Sequence, residues 1–239
     1  MADAVCRRCG LCCLRGGPTL MVEDAPLLRE GRLALEDLVC LRAGEWARDD
    51  TAGELRPLQG PLLKLARWNP RGASAVHPWR CPFLQESAPA AACGIYRHRP
   101  VQCGLLFCGD TALLEKRLAE GGMLDRAAAL AALPEDILPP SACALWLELI
   151  AAHEDQCPAG ECLRLAAELG FRPRGTGAEP IRNSPDALSV RDRLTALARA
   201  DAAFRELCQS RARIPEAVLP FLLGRPVSAL LAEVGCLPG

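Results

Sequence analysis

Apolar and polar positions alternate differently along the two halves of the chain. Up to about residue 110 the apolar residues come in short, interrupted runs, and beyond Cys108 they recur at helical spacing. A short extended piece is expected near Thr19-Leu20-Met21-Val22. A helix then follows, opened by Glu23-Asp24 with Pro26 in its first turn, where the missing N–H of proline costs little. The pattern predicts a second helix over Leu35 to Leu41. Residues 43–80, rich in Gly, Pro and Arg, read as loops and short strands, while Pro82, Pro100 and many small residues keep 81–108 irregular. Asp110 and Thr111 look like the N-cap of a helix with Leu113, Leu114, Arg117 and Leu118, stopped by Gly121-Gly122. Further helices are expected over 123–132, 141–154 and 161–169, the last closed by Gly170. Residues 171–185 read as a linker or long loop. Leu188, Leu194 and Leu197 then predict a helix from Asp186 to Ala200, followed by shorter ones around 201–209, 215–223 and 226–234. The expected fold is mostly α, with an irregular, cysteine-rich metal-binding core, few short strands and an α-helical C-terminal extension. Its expected division is a cysteine-cluster domain at 1–110 and a helical region at 111–239, with a sub-boundary at 171–185.

Composition narrows the function. Half of the 239 residues are hydrophobic, enough for a packed core, and the formal net charge of -1 argues against a nucleic-acid binder. The Arg-rich pieces near 171–174 and 191–199 are interleaved with apolar and acidic residues and read as solvated faces. There is no Gly-x-x-x-x-Gly-Lys phosphate loop, His-Glu-x-x-His helix or Gly-x-Ser-x-Gly elbow. No apolar run reaches about 18 residues, so no helix is expected to span a membrane. The start, Met1-Ala2-Asp3-Ala4-Val5-Cys6, lacks an apolar signal-peptide core. A cytoplasmic setting is therefore expected, in which thiols stay reduced.

Cysteine changes the picture most. There are fourteen cysteines against three histidines, a usage that points to disulfides, metal or redox chemistry. In a chain of this size, in a reducing compartment, metal is the better reading. The sharpest signal is Cys6-Arg7-Arg8-Cys9-Gly10-Leu11-Cys12-Cys13. Two-residue gaps let a tight loop present successive thiolates to one metal or cluster, as in ferredoxins and structural zinc sites. Gly10 supplies the positive φ that such a loop often needs. Adjacent Cys12 and Cys13 diverge more readily, so one of them serves a second site or hydrogen-bonds to the first.

Four stretches together resemble the YkgJ-like cysteine-cluster proteins, described as zinc- or iron-chelating CxxCxxCC proteins. They are Cys6 to Cys13; the Asp24 helix start after Pro18-Thr19-Leu20; Cys81-Pro82-Phe83-Leu84; and Cys93-Gly94-Ile95-Tyr96-Arg97-His98-Arg99-Pro100-Val101-Gln102-Cys103. The resemblance covers about the first 110 residues. A related domain occurs in flagellin lysine methylases, whose remaining length is not evident here. The resemblance implies metal ligands at Cys6, Cys9, Cys12, Cys13, Cys81, Cys93 and Cys103, with Cys108 a natural eighth. Eight thiols suit two four-ligand sites or one larger cluster. Arg99 fits a supporting role, its guanidinium donating to cluster sulfur and offsetting negative charge, against the alternative of a surface arginine beside a turn-forming proline.

The remaining candidates carry less. Cys157 and Cys162 could clip a second metal at the mouth of a helix, with Cys143 a less favoured partner in an apolar helix. Cys40, Cys208 and Cys236 read as buried or incidental thiols, and Tyr96 as a half-buried structural ring. His77 and His98 are outside chances as ligands. His153-Glu154-Asp155 reads as a solvated helix end favourable to the helix dipole. The expected cofactor is a 4Fe–4S-type iron–sulfur cluster, with zinc the alternative. The cluster would serve redox, metal-handling or protein-modification chemistry with a protein or peptide partner. The zinc reading makes the chain a structural, partner-binding module without catalysis.

Overall fold

The computed structural model describes residues 8–49, 54–66, 68, 77, 79–87, 90–107, 110–171, 173 and 185–236. Its helices are α1 (Leu11–Arg15), α2 (Ala25–Arg29), α3 (Val101–Leu105), α4 (Ala112–Ala119), α5 (Arg126–Ala131), α6 (Pro140–Gln156), α7 (Ala159–Glu168), α8 (Pro185–Ser210), α9 (Leu219–Leu223) and α10 (Val227–Glu233). Its strands are β1 (Leu38–Leu41), β2 (Trp46–Asp49), β3 (Glu54–Pro57), β4 (Leu62–Leu65), β5 (Leu84–Ser87) and β6 (Ala90–Cys93). They form two-stranded sheets only, β1 with β4, β2 with β3 and β5 with β6. The protein is mostly helical with a few short strands, as expected. Among the described residues no helix is long and apolar enough to cross a membrane.

Two compact units share the chain, one built from Met1–Val39 and Leu62–Cys143, the other from Cys40–Pro61 and Ala144–Gly239. In the first, the predicted extended piece at 19–22 is a central rung. Leu20 N–H donates to Leu63 O of β4 at 2.9 Å, and on its other side Leu20 O accepts from Leu124 N–H at 3.0 Å. Leu20, Met21, Leu28, Leu63, Leu65, Leu124 and Leu130 form the apolar core around it. The helix after Glu23-Asp24 forms as α2 with its early proline. Asp24, however, does not cap that helix through its side chain. Its buried carboxylate accepts from Met21 N–H and Val101 N–H, both at 2.9 Å. Burial raises its pKa above the ordinary 3.8, against the lowering effect of the two amide bonds.

Several predicted elements change character. The helix expected over 35–41 is a 3-10 turn at Leu35–Asp37 running into β1. All four β1 residues are buried, and a fully buried apolar run has no helical period to show. The region expected to stay irregular contains the β5–β6 hairpin, in which Leu84 pairs with Cys93. The separate helices expected over 186–200 and 201–209 are one, α8. No glycine or proline interrupts it, and Asp201 accepts bonds from other elements instead of starting a new helix. Most of the linker expected at 171–185 lies outside the described residues.

The second unit buries charge as well as apolar surface. Leu163, Leu165, Ala166 and Leu169 of the α7 face pack with Leu194 of α8 and Val227, Leu230 and Leu231 of α10. Glu45, fully buried, accepts from Arg42 Nε at 3.1 Å and from Arg225 Nε at 2.9 Å. Arg42 also donates to Arg225 O at 2.9 Å, and Arg225 to Glu233 at 2.6 Å. Removing one partner of a buried pair leaves its counter-charge desolvated and uncompensated. Glu45→Gln is therefore expected to lower unfolding free energy by about 3–5 kcal/mol, read by urea titration. A loss under about 1 kcal/mol would show that the network contributes no more than a surface pair.

Candidate metal centre

The first unit brings the cysteine motifs together with backbone hydrogen bonds and a few positions only glycine can fill. Gly10 caps α1 at φ 74°, the left-handed region that glycine enters without strain. The turn sets Cys9 before α1 and Cys12 and Cys13 on it, with Leu14 N–H closing onto Gly10 O at 2.9 Å. Arg8 O accepts from Ala91 N–H of β6 at 3.0 Å, and Cys13 O accepts from Cys81 N–H at 2.8 Å. The loop is thus fastened at Arg8 and at Cys13 to the segment that carries Cys81 and Cys93. Gly17 then lies so close to β4 that a Cβ there would sit 1.9 Å from Leu65 O.

The fourth stretch arrives by another route. A 3-10 turn at Tyr96–His98 and Pro100 lead into α3, which carries Cys103. Asp24 fixes the first amide of α3, and the Gln102 side chain accepts from Thr19 N–H. The helix start singled out at Asp24 therefore places Cys103, a role that its position gave no hint of in the sequence.

These elements enclose a cavity of about 280 Å³ lined by Cys9, Cys12, Cys13, Cys93 and Cys103. Its apolar wall is Leu84, Ala91, Ala92, Leu106 and Phe107, and Arg8, Tyr96, Arg97 and Arg99 complete it. Cys81 is buried beside them, close enough for its charge to raise the Cys13 and Cys103 thiols. The thiols affect one another strongly. Burial, followed by the charges of Cys81, Cys12 and Cys93, pushes Cys103 up to about 12, with Arg99 opposing. Burial also raises Cys81, although the amides of Phe83 and Leu84 hydrogen-bond to its sulfur and favour the thiolate. Cys12 and Cys13 lie Sγ to Sγ at 3.9 Å. The bond between them lowers Cys12 to about 6 and raises Cys13.

Arg99 lies over the Tyr96 ring, its guanidinium carbon 4.5 Å from the centroid, with that of Arg8 5.5 Å away. Tyr96 is 39% exposed and carries these cations at the cavity wall. His77 and His98 are exposed and do not line the cavity. Cys6 and Cys108 lie outside the described residues. Cys157 and Cys162 belong to the second unit, both fully buried in its core, and Cys40, Cys208 and Cys236 are buried too. Cys143 is half-buried on α6. The solvated helix end expected at His153 is overturned. His153 is 0% exposed, and its Nε2 lies 2.6 Å from Asp201 Oδ1. The α6 face carrying it turns inward because the α8 carboxylate can satisfy the imidazole there.

Among the described residues, five thiols and no carboxylate line the cavity and Cys81 adjoins it, a soft donor set that zinc and iron–sulfur clusters favour. The first unit is by its site a thiol-lined metal-binding domain. Residues 5–114 match the model of the CxxCxxCC family, described as "Putative zinc- or iron-chelating domain". No curated protein and no solved structure matches the chain.

Gly17 offers a test that leaves every thiol in place. Gly17→Ala is expected to cost about 3 kcal/mol and to lower metal per chain, measured by denaturant titration and elemental analysis of the same sample. Unchanged stability and metal content would show that packing against β4 does not hold the loop.

Proposed function

We propose that the first unit holds an iron–sulfur cluster of the 4Fe–4S type, used for redox, metal-handling or protein-modification chemistry. Cys9, Cys12, Cys13, Cys81, Cys93 and Cys103 are its candidate ligands, with Cys6 and Cys108 completing the set in the chain. The observation that carries this reading is the number of thiols around one cavity. Cys9, Cys12, Cys13, Cys93 and Cys103 line it and Cys81 adjoins it, more than one tetrahedral zinc takes. The cavity also has an apolar wall, and a poorly hydrated surround tunes cluster potential. Arg99, which already favours the Cys103 thiolate, would offset cluster charge. Arg8, Arg97 and Arg99 give the cavity a cationic margin on which a protein or peptide partner would dock. The reading places the chain in the cytoplasm, where these thiols stay reduced.

Zinc is the second reading. The adjacent Cys12–Cys13 pair favours it, because neighbouring thiols at 3.9 Å can divide between two closed sites more easily than converge on one cluster.

Metal content after anaerobic purification tests both. Iron and acid-labile sulfide near four each per chain are expected, with a broad visible absorption that bleaches on reduction. Cys9→Ser and Cys103→Ser should each lose most of the iron, whereas Cys40→Ser, at a buried core thiol, should keep it. A colourless protein with zinc and no iron would replace the iron–sulfur reading by the zinc one.

A further inference from the structure

The second unit contains a constellation of metal-ligating side chains that has no part in the cysteine cavity. Ligand atoms of His153, Cys157 and Asp201 all lie within 4.8 Å of one another, and all three residues are buried. His153 stands on the last turn of α6, and Cys157 continues that turn, its N–H donating to His153 O at 2.8 Å.

We propose that this cluster is a second, buried metal site for a thiophilic d10 cation, Cu+, ligated by His153 Nδ1 and Cys157 Sγ. Hydrogen bonding decides which atoms are available. Asp201 Oδ1 accepts from His153 Nε2 at 2.6 Å and from Arg205 Nε at 3.1 Å. Its Oδ2 accepts from Arg205 Nε at 3.0 Å and from Val227 N–H at 2.9 Å. Three donors, with Arg205 Nε–H shared between the two oxygens, thus engage both sides of the carboxylate. Asp201 is therefore a positioning residue: it holds the proton on Nε2 and turns the lone pair to Nδ1. A carboxylate placed behind a metal-binding imidazole does this.

Nδ1 itself is buried and has no hydrogen-bond partner among the described residues. Phe204 packs against the same ring at 5.2 Å between centroids, so the imidazole cannot easily turn to find one. A lone pair held in that state is costly unless something accepts it. The charges also balance. One neutral imidazole and one thiolate carry one negative charge, which a monovalent ion cancels, and Arg42 favours the Cys157 thiolate. A nucleophilic Cys–His–Asp triad is the competing use of the same residues, but with Cys157 at 0% exposure no substrate reaches the sulfur.

The test reads the imidazole, which separates this site from the sulfur ligands of the first unit. His77→Gln and His98→Gln, at two exposed positions, leave His153 as the one histidine in the full chain. The 15N resonances of that variant are followed anaerobically while Cu+ is added past saturation of the N-terminal cysteines. Cu+ is expected to shift Nδ1 while Nε2 keeps its proton, and the shift should vanish in Cys157→Ser. An Nδ1 resonance that Cu+ does not move overturns the site. A shift that survives the serine substitution overturns it as well.

Discussion

Two amide hydrogens and one buried carboxylate set the geometry of the cysteine cavity. Asp24 accepts from Met21 and from Val101, positions 80 apart in the chain as numbered, and thereby fixes the start of α3 against the rung at 19–22. Cys103 follows two residues after Val101, so its sulfur has little freedom once that amide is held. The Gln102 side chain repeats the attachment at Thr19. On the opposite side, the carbonyls of Arg8 and Cys13 receive the amides of Ala91 and Cys81. Thiolates that repel one another are thus brought into one place by bonds between backbone groups, which do not depend on the charge of sulfur. The cost shows in Asp24, whose burial raises its pKa despite two favourable bonds.

The cavity could be read from the sequence as far as chemistry went. Cysteine spacing marks Cys9, Cys12 and Cys13, and the two later stretches mark Cys81, Cys93 and Cys103, because two-residue gaps and proline-bounded turns have local causes. The apolar wall could not be read. Leu84, Leu106 and Phe107 look like any core residues until the hairpin and α3 bring them to one side of the sulfur. Helices with exposed faces, such as α4 and α7, declare themselves by period. The strand β1 hides because all four of its residues are buried, and α8 runs unbroken past residue 200 with the Asp201 carboxylate turned to other elements. His153 failed for a related reason. An imidazole beside two acidic neighbours reads as solvated, and only a distant carboxylate on α8 turns it inward.

The second unit uses buried charge to join pieces that are remote in sequence. Arg42 and Glu45, from 40–61, meet Arg225 beyond α9 and, through it, Glu233 of α10. Arg205 donates to the carbonyls of Leu223 and Gly224, satisfying the end of α9. Buried pairs of this kind add little net stability compared with apolar packing, but mispairing them is expensive. Their effect here is to make one arrangement of short helices strongly preferred over others with the same apolar burial.

The elements of the first unit are short. The helices α1 and α3 have five residues each, and its hairpin has two strands of four. Helices well under about 12 residues and isolated two-stranded hairpins are marginal in water. The apolar core around Leu20 and Leu63 supports the rung at 19–22, but the thiol-bearing loop, hairpin and α3 surround a cavity and are not packed through their centre. A metal bound to thiolates from all three would supply the missing central contacts. Because the unfolded chain has no preformed site, the free energy of binding would then appear as folding free energy. Metal affinity and local stability are on this argument one quantity in the first unit, whereas the helical unit is held by its own core and ion pairs.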